Sequence, residues 1–432
     1  MGDKLPRVLV ISSADPTVGP GVVGLTHYNA LKKAGLDVDF MTKFPVEGHP
    51  EFISVYDGES SKCLSKGLWK ICRRLANQRI KKQVPGYYFF YKKETFPPVP
   101  TRDVLAKIKK QYDVIYVVFW QGLLSFATIE ALYDKLKCQF QFRCVDYSPM
   151  SGGCHFTGDC QRYQTGCGCC PAVYSMDEND FTHWNVKYRK KIYEKVKPVV
   201  YGNSYMNSFY RRSFLLKDYD RLEVVYPVMD NETYRPLDVD CCREKYEIPH
   251  KKRFLIFFGC QRLTDERKGM RYLQEALRIL YGKLSEEERG QILLIIAGHD
   301  IDPIKESLLF DYKYLGFVKP QDLPSVYSMS SVFLSPSVND AGPSMVNQSL
   351  SCGTPVVAFE MGTALDVVKG KDTGYCAKLR DSEDFAKGIE SVYKLTSPKY
   401  DALRARCRDV AVEMTSKEAF VKKVLQMYSK YS

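Results

Sequence analysis

The sequence predicts an α/β protein with two Rossmann-like domains that face each other across a cleft. Three observations support this fold class. The chain has 432 residues, which suits two domains of roughly 200 residues better than one compact core. Short apolar strands alternate with helical patterns, which is typical of parallel sheets covered by helices. The alternation stops at the polar stretch 227–240 and begins again at residue 253.

The first half of the chain predicts an N-terminal domain at residues 1–226. Its first strand is RVLVIS at residues 7–12, followed by the turn DPTVGPGVVG and a helix that closes on Gly35. A Gly-rich turn after a first strand allows a ligand to approach the backbone closely. Four more apolar segments predict strands of the same sheet, at residues 37–43, 114–120, 139–146 and 198–204.

The second half predicts a C-terminal domain at residues 227–414 with the same architecture. Five apolar segments predict its strands, at residues 253–259, 292–298, 313–317, 332–337 and 355–360. The last segment, residues 415–432, has a helical pattern and is expected to join the first domain. Ligands of doubly wound sheets bind beyond the carboxyl ends of the strands, so the site is expected there, in the cleft.

Composition narrows the function classes. The net charge of +12 is compatible with nucleic acid, an anionic membrane surface or phosphorylated small substrates. No zinc-finger His pair, RRM-like aromatic motif or recognition-helix pattern is present, so a nucleic-acid partner is not expected.

The longest apolar runs, VIYVVFW and ILLIIAG, are far shorter than the roughly 18 residues of a membrane span. The apolar stretch in MGDKLPRVLVIS is too short for a signal peptide. Fifteen cysteines, an odd number, favour a reducing cytoplasm.

One basic segment, residues 63–83, interrupts the alternation. Its sequence is CLSKGLWKICRRLANQRIKKQ, with apolar residues at helical spacing and lysines and arginines between them. Such a helix can lie on an anionic membrane surface. An ordinary surface helix with its apolar stripe toward the core has the same pattern. The sequence therefore predicts a cytoplasmic protein and leaves peripheral membrane contact as one alternative.

The stretch SVNDAGPSMVNQSLSCGTPVV predicts a short helix that starts at a ligand site. Pro343 suits the first helical position, and Gly353 and Pro355 end the helix after about Ser351. The amides of the first turn, with the positive end of the helix dipole, are suited to a diphosphate. Gln348 follows Ser344 by one turn, about 5.4 Å along the same face, which is a step from a diphosphate to its ribose. A plain crossover helix with polar ends is the alternative.

The same stretch resembles the donor-site motif of the retaining family 4 glycosyltransferases, which have the GT-B fold. The segments FFGCQRLTDERKGMRYLQEAL and KYLGFVKPQDLPSVYSMSSVFLSPS resemble the phosphate and nucleobase segments of that family. Residues 119–171 resemble a bacterial subgroup that builds capsule, exopolysaccharide or lipopolysaccharide chains. Three positions depart from the family: Gln348 replaces its second acid, Asp340 is shorter than the usual Glu, and Val145 replaces a histidine that contacts the sugar.

The resemblance implies transfer of a sugar from a nucleotide diphosphate to a hydroxyl of a glycan or lipid-linked acceptor, with retention and without a metal cofactor. Arg262, Lys268 and Asp340 would then be catalytic, with Arg267 as a competitor for the role of Arg262. The positions implied for donor binding are Gly19, Gly21, Phe317, Val318, Gly342, Pro343, Ser344, Met345 and Gln348. Asp146, at the end of a first-domain strand, would contact the acceptor or sugar, and Thr363 and Asp366 would border the sugar.

A cysteine-rich loop lies within residues 154–170. Its spacing is C-x5-C-x6-C-x2-C, and the C-x2-C end is typical of half of a zinc site. The sequence predicts a structural zinc site at Cys154, Cys160, Cys167 and Cys170, with reduced thiols or disulfides as the alternatives. A catalytic role is not expected because the donor side already has its cations.

Two rival functions remain open. A metal-dependent GT-A-type transferase would need an Asp-x-Asp motif, and this pattern occurs at Asp37–Asp39, Asp238–Asp240 and Asp300–Asp302. None of the three ends a strand in the required context. A catalytically inactive nucleotide-sugar-binding or scaffold subunit is the other alternative, because Gln348 and Val145 depart from the family.

Overall fold

The computed structural model describes residues 5–16, 20–56, 71, 84, 93–143 and 146–432. Gly19, Val145 and, apart from Ile71, the predicted basic helix at 63–83 lie outside the described residues. The chain divides into two compact units. The first unit comprises residues 1–202, 206–225 and 420–432, and the second comprises residues 203–205 and 226–419.

The first unit contains a seven-stranded parallel sheet with the order β3-β2-β1-β4-β5-β6-β7. Its strands are β1 (Val8–Ser12), β2 (Val38–Thr42), β3 (Ile53–Ser54), β4 (Val114–Phe119), β5 (Gln139–Arg143), β6 (Val199–Gly202) and β7 (Leu222–Val224). Every residue of β1 and β4 is buried, as expected for central strands covered on both faces. The register places Val10 beside Phe40 on one side and Tyr116 on the other.

The helices of the first unit begin and end at recognisable caps. They are α1 (Pro20–Lys33), α2 (Thr101–Lys107), α3 (Phe126–Leu136) and α4 (Phe181–Val196), and α5 (Ser204–Tyr210) starts at the boundary between the units. The Ser125 side chain accepts a hydrogen bond from the Thr128 amide at the start of α3. Asp180 accepts from Thr182 and His183 at the start of α4. Both side chains satisfy amides that lack a partner within the helix.

The second unit contains a six-stranded parallel sheet with the order β10-β9-β8-β11-β12-β13. Its strands are β8 (Phe254–Arg262), β9 (Ile292–His299), β10 (Tyr312–Tyr314), β11 (Val332–Ser335), β12 (Val356–Phe359) and β13 (Gly374–Ala377). The helices are α6 (Val239–Lys245), α7 (Met270–Lys283), α8 (Glu286–Gln291), α9 (Asp302–Lys305), α10 (Leu323–Met329), α11 (Ser344–Ser351), α12 (Ala364–Val367), α13 (Ser382–Tyr393) and α14 (Ser397–Thr415). Apolar clusters cover both faces of this sheet.

The last helix, α15 (Lys417–Tyr431), packs almost entirely within the first unit. Its Phe420 ring stacks on the buried His27 ring with centroids 4.3 Å apart. Its Lys423 and Lys430 both pair with Glu223 of β7, at 3.1 and 2.8 Å. Among the described residues, no helix combines the length and the apolar character needed to cross a bilayer.

The two parallel sheets confirm the predicted fold class, with differences at the ends of elements. Pro343 is the N-cap of α11 instead of its first helical residue, and the helix begins at Ser344. The short strands β3, β7 and β13 have no counterpart in the sequence prediction. Strands of two to four residues are too short to show a hydrophobic period.

Candidate functional site

The beginning of α11 is the first part of the candidate site. It follows β11 by a loop, so it lies beyond the carboxyl end of a central strand. Pro343 supplies no side-chain cap to the first turn. Ser344 is exposed and Met345 is half-buried. The first-turn amides lie at the positive end of the helix dipole, a position that is suited to an anion.

Lys268 and Asp340 form an ion pair beside this helix start. The Lys268 Nζ lies 2.5 Å from Asp340 Oδ2, and the Gly342 amide donates to Asp340 Oδ1 at 3.0 Å. Burial opposes charge on both groups, but their mutual attraction outweighs it. The pKa of Lys268 is therefore raised and the pKa of Asp340 is lowered. Both side chains are charged at neutral pH, with about a quarter of Lys268 and less of Asp340 exposed.

Gly269 sets the position of Lys268. Lys268 ends a single helical turn, and Gly269 then adopts a left-handed φ of 70° as it leads into α7. A Cβ atom on Gly269 would lie 1.9 Å from the Pro336 carbonyl oxygen. Next to it, the Arg267 carbonyl oxygen accepts a hydrogen bond from the Val338 amide at 2.8 Å. The absence of a side chain at Gly269 thus lets the lysine turn pack against the loop that carries Asp340.

We expect Gly269→Ala to lower both stability and donor binding. The left-handed φ costs an L-residue about 1–2 kcal/mol, and the clash with Pro336 adds to this cost. Thermal unfolding and nucleotide titration measure the two effects. Gly282→Ala is the matched control, because a Cβ at Gly282 meets nothing within 4 Å. Equal results for the two variants would contradict this role of Gly269.

Arg262 and Arg267, the two arginines considered for the phosphate clamp, differ in their partners. Arg267 is held by Asp265 through Nη2–Oδ2 and Nε–Oδ1 distances of 2.7 and 3.2 Å. Arg262 is the last residue of β8 and is exposed. No ion pair holds the Arg262 guanidinium among the residues that the structure describes. Arg262 therefore stays the better candidate for binding a phosphate.

Gln348 lies one turn into α11, as the sequence predicts. Its Oε1 accepts a hydrogen bond of 3.0 Å from the hydroxyl of the fully buried Tyr327. This bond orients the Gln348 amide.

Phe317 is 54% exposed, and its ring stacks on His299 with centroids 5.2 Å apart and an interplanar angle of 7°. Val318 packs against an apolar cluster. His299, at the end of β9, was missed by the sequence analysis because only tertiary structure brings it to Phe317.

The loop before α11 has further contacts that sequence reasoning did not foresee. Asn203 Nδ2 donates to the Ala341 carbonyl oxygen at 2.6 Å, and a Cβ on Gly342 would lie 3.0 Å from the same nitrogen. Asp366 Oδ2 accepts from the Ser204 amide at 3.2 Å, and burial raises the pKa of Asp366. The Asp366 carboxylate is therefore already engaged by a backbone amide. Thr363 is buried.

Asp146, in the first unit, lies in a buried polar cluster just after β5. Its Oδ2 is 2.6 Å from His155 Nδ1 and accepts a hydrogen bond of 3.0 Å from Gln121 Nε2. Its Oδ1 accepts from the Ser148 amide at 2.8 Å. With only 1% of the residue exposed, the carboxylate organises its own loop. In the sequence, the feature that indicates His155 as a partner of Asp146 is the Gly-Gly-Cys-His loop.

Gly21, the other predicted first-unit glycine, lies in the first turn of α1. A Cβ at this position would lie 1.7 Å from the Asp15 carbonyl oxygen. The close approach at Gly21 is thus made by the chain itself. This contact is a sufficient physical reason for a glycine here.

The four predicted zinc ligands surround one small cavity of about 20 Å³. None forms a disulfide. Burial raises the pKa of Cys167 to about 12 and of Cys170 to about 11, and it also raises the pKa of Cys154. In the part of the chain that the structure describes, no group of three or more His, Cys, Asp or Glu side chains is arranged to hold a metal ion. The zinc prediction is therefore unsupported.

Comparison with solved structures defines the class of fold. The chain is similar to sucrose-phosphate synthase from Thermosynechococcus elongatus, with 17% identity, 98% coverage of both chains and a TM-score of 0.66. It is also similar to Anabaena Alr3699/HepE in complex with UDP-glucose, with 14% identity, 98% and 100% coverage and a TM-score of 0.61. These likenesses establish the GT-B type of α/β fold.

Sequence comparison identifies the domain of the second unit. Residues 239–413 match the family model described as "Glycosyl transferases group 1". The chain is 27% identical over 158 residues to an uncharacterized glycosyltransferase, MJ1607, of Methanocaldococcus jannaschii, covering 35% of this chain and 38% of the relative. It is 22% identical over 253 residues to a 41.2 kDa protein in the cps region of Klebsiella pneumoniae, covering 57% and 67%. Residues 239–413 of the second unit therefore resemble the group 1 glycosyltransferases.

Proposed function

We propose that this protein is a retaining, metal-independent glycosyltransferase. It transfers a sugar from a nucleotide diphosphate to a hydroxyl of a glycan or lipid-linked acceptor. The observation that carries the proposal is the Lys268–Asp340 ion pair beside the uncapped start of α11. The second unit binds the donor, and the first unit, completed by the C-terminal helix, binds the acceptor.

The proposed chemistry needs positive charge where the leaving group forms. The bond between the anomeric carbon and the diphosphate oxygen breaks, and the acceptor oxygen bonds to the same face of that carbon. The acceptor proton passes to the departing phosphate. Lys268, Arg262 and the first-turn amides of α11 stabilise the negative charge that develops on the diphosphate. Asp340 positions Lys268 and accepts a hydrogen bond from a hydroxyl of the transferred sugar.

The remaining donor contacts follow the order of groups along a nucleotide sugar. Gly342, Pro343, Ser344 and Met345 surround the diphosphate, and Gln348 meets the ribose. The loop with Phe317 and Val318 lies beside the base. Of the first-unit residues predicted for the site, Gly19 remains the proposed donor contact, because Gly21 and Asp146 are engaged within their own loops. Similarity to a structure in complex with UDP-glucose supports a nucleotide-sugar donor.

A surface polysaccharide is the proposed product. The similarity to a protein of a cps region and the cysteine-rich loop, a feature of the capsule-type subgroup, support this assignment. The net charge of +12 supports binding of the protein to the cytoplasmic face of an anionic membrane. Nucleotide sugars are anionic as well, so the charge also favours donor capture.

A donor screen by thermal shift, followed by a transfer assay, tests the proposal. A bound donor raises the melting temperature, because it binds the native state and not the unfolded chain. UDP-, GDP- and dTDP-sugars distinguish the base. Transfer that survives EDTA and retains anomeric configuration supports the proposal, and transfer that requires a divalent ion contradicts it. Donor binding without transfer would instead favour an inactive scaffold, the alternative suggested by Gln348.

We expect Gln348→Glu to tighten donor binding by about three- to tenfold. A carboxylate makes charge-assisted hydrogen bonds to ribose hydroxyls, and these are roughly twice as strong as those of a neutral amide. Tyr327 can donate to the new carboxylate as it does to Gln348. Calorimetric titration with the preferred nucleotide measures the change. Weaker binding by the variant would show that this position faces the diphosphate instead of the ribose.

A further inference from the structure

A groove on the first unit has no role in the mechanism above. It has a volume of about 750 Å³, within the range of small-ligand sites. One wall is the exposed face of α4, and the segment Lys93–Thr95 and Phe214 complete it. The side chains that distinguish this groove are Lys93, Trp184, Lys187, Lys190, Lys191 and Phe214.

Lysines outnumber acids among the exposed side chains of the groove. Lys93, Lys187, Lys190 and Lys191 are all exposed. Among the described residues of α4, the cations that form ion pairs are Arg189 and Lys195, and neither Lys187, Lys190 nor Lys191 does so. Two acids in the lining are buried: Glu94 pairs with Arg189, and Asp180 caps α4. The remaining acids of the lining, Asp177 and Glu194, are exposed, so four exposed lysines of the groove stand against two exposed carboxylates.

The groove also presents aromatic faces. Trp184 is 57% exposed, which is unusual for so large a ring. Lys187 Nζ lies 5.0 Å from its centroid, and Lys190 Nζ lies 5.0 Å from the centroid of Phe214. Trp184, Lys187 and Lys191 share one helix face through their spacing of three and seven residues. Aromatic faces and ammonium groups therefore alternate along the groove.

The base of the groove is rigid. Arg189 Nε lies 2.6 Å from Glu94 Oε1, and Glu94 Oε2 accepts from the Phe126 amide at 2.8 Å. Arg189 also donates to the Ser151 carbonyl oxygen at 2.6 Å. Both charged side chains are almost fully buried. A ligand in the groove would thus meet a preformed surface, which lowers the entropy cost of binding.

We propose that this groove binds an acidic oligosaccharide. The sugar rings of this ligand pack on Trp184, and its carboxylate or phosphate groups contact the lysines. This inference rests on the proposed function, because such a ligand would be the part of a growing acceptor chain distant from the reacting hydroxyl. The concave shape favours a glycan over a bilayer, because a flat lipid surface makes little contact with the walls of a groove. An acceptor held here stays on the enzyme between transfers.

Titration of the full chain with an alginate hexasaccharide tests the groove without any donor. Maltohexaose is the neutral control, and vesicles of phosphatidylglycerol and phosphatidylcholine test the bilayer. The chain has three tryptophans, and Trp120 is buried, so Trp184 is suited to report binding by fluorescence. We expect saturable binding of the uronate oligomer, weakening with salt, and no comparable response to maltohexaose.

Substitutions in the groove test whether its lysines and Trp184 bind the oligosaccharide. Lys187→Gln/Lys190→Gln/Lys191→Gln should weaken uronate binding about tenfold or more, since each 1.4 kcal/mol corresponds to a factor of ten. Trp184→Phe should abolish the fluorescence change. Lys251→Gln/Lys387→Gln/Lys399→Gln, which alters three exposed lysines of the second unit, is the charge-matched control.

Two results would overturn the proposal: equal loss of binding in both triple variants, or binding to the vesicles with none to the uronate oligomer. Donor binding, measured separately on the same variants, should not change. A failure of the groove therefore remains distinguishable from a failure of the transferase assignment.

Discussion

Replacing Lys268 with Ala should reduce kcat/KM for sugar transfer by about a hundred- to a thousandfold. The expected loss is that of one preorganised charge at the group that becomes negative in the transition state. The pKa of Lys268 is raised, so its charge persists at neutral and moderately alkaline pH, and activity should not fall there through loss of this proton. Steady-state kinetics with the donor found in the thermal-shift screen measure the effect.

The same substitution leaves the largely buried Asp340 without its partner. We expect a loss of about 1–3 kcal/mol in the free energy of unfolding. The double variant Lys268→Ala/Asp340→Asn removes both charges and should recover part of this stability without recovering activity. Lys305→Ala, which breaks an exposed ion pair with Asp302 in the same unit, is the control and should affect neither quantity. Near-normal transfer by the Lys268→Ala variant would contradict the proposed mechanism.

The pH dependence of stability follows from the same pair. The pKa of Asp340 is lowered in the folded state, so its contribution is complete above the unfolded pKa of about 3.9 and is lost as pH falls through the lower folded value. The pKa of Lys268 is raised, so its contribution is complete below about 10.4 and is lost as pH rises through the higher folded value. Between these limits the pair contributes a constant amount.

Arg189→Met should have the largest effect on stability, about 3–5 kcal/mol. Arg189 and Glu94 are only 2% and 1% exposed, and removal of the cation leaves the buried Glu94 carboxylate without its counter-charge. The backbone carbonyls of Ser148 and Ser151 also lose their donor. For a domain of this size the melting temperature should fall by roughly 10 °C. Chemical denaturation and calorimetry measure the two quantities.

An exposed ion pair on the same helix provides the matched control. Lys195 of α4 lies 2.8 Å from Glu130 and is 40% exposed. Lys195→Met should destabilise the protein far less than Arg189→Met, because water already screens this pair. The double variant Arg189→Met/Glu94→Gln should recover part of the loss. If Arg189→Met and Lys195→Met destabilise equally, the buried pair has no special role in holding the loop to α4.

The features predicted well from the sequence are those with a local signal. The end of α11 follows from Gly353 and Pro355, and the central strands follow from continuous apolar runs. The motif around Lys268 carried the resemblance to a transferase family, and the match of residues 239–413 to group 1 glycosyltransferases agrees with it. The zinc site was predicted from spacing, and the four cysteines do line one cavity, but spacing does not specify the distances between their sulfur atoms.

The alternation of strands and helices and the restart near residue 253 were enough to identify two parallel α/β units. The turn residues around α11 were enough to predict where this helix ends, and the anion site at its start stays a prediction. These signals are local, because helix and strand periods and turn conformations involve neighbouring residues. Which charges meet was decided by folding. Lys268 and Asp340 are 72 residues apart, and Glu94 and Arg189 are 95 apart. Only strand order and packing bring such partners within hydrogen-bond distance, and only burial makes their pairing costly to break.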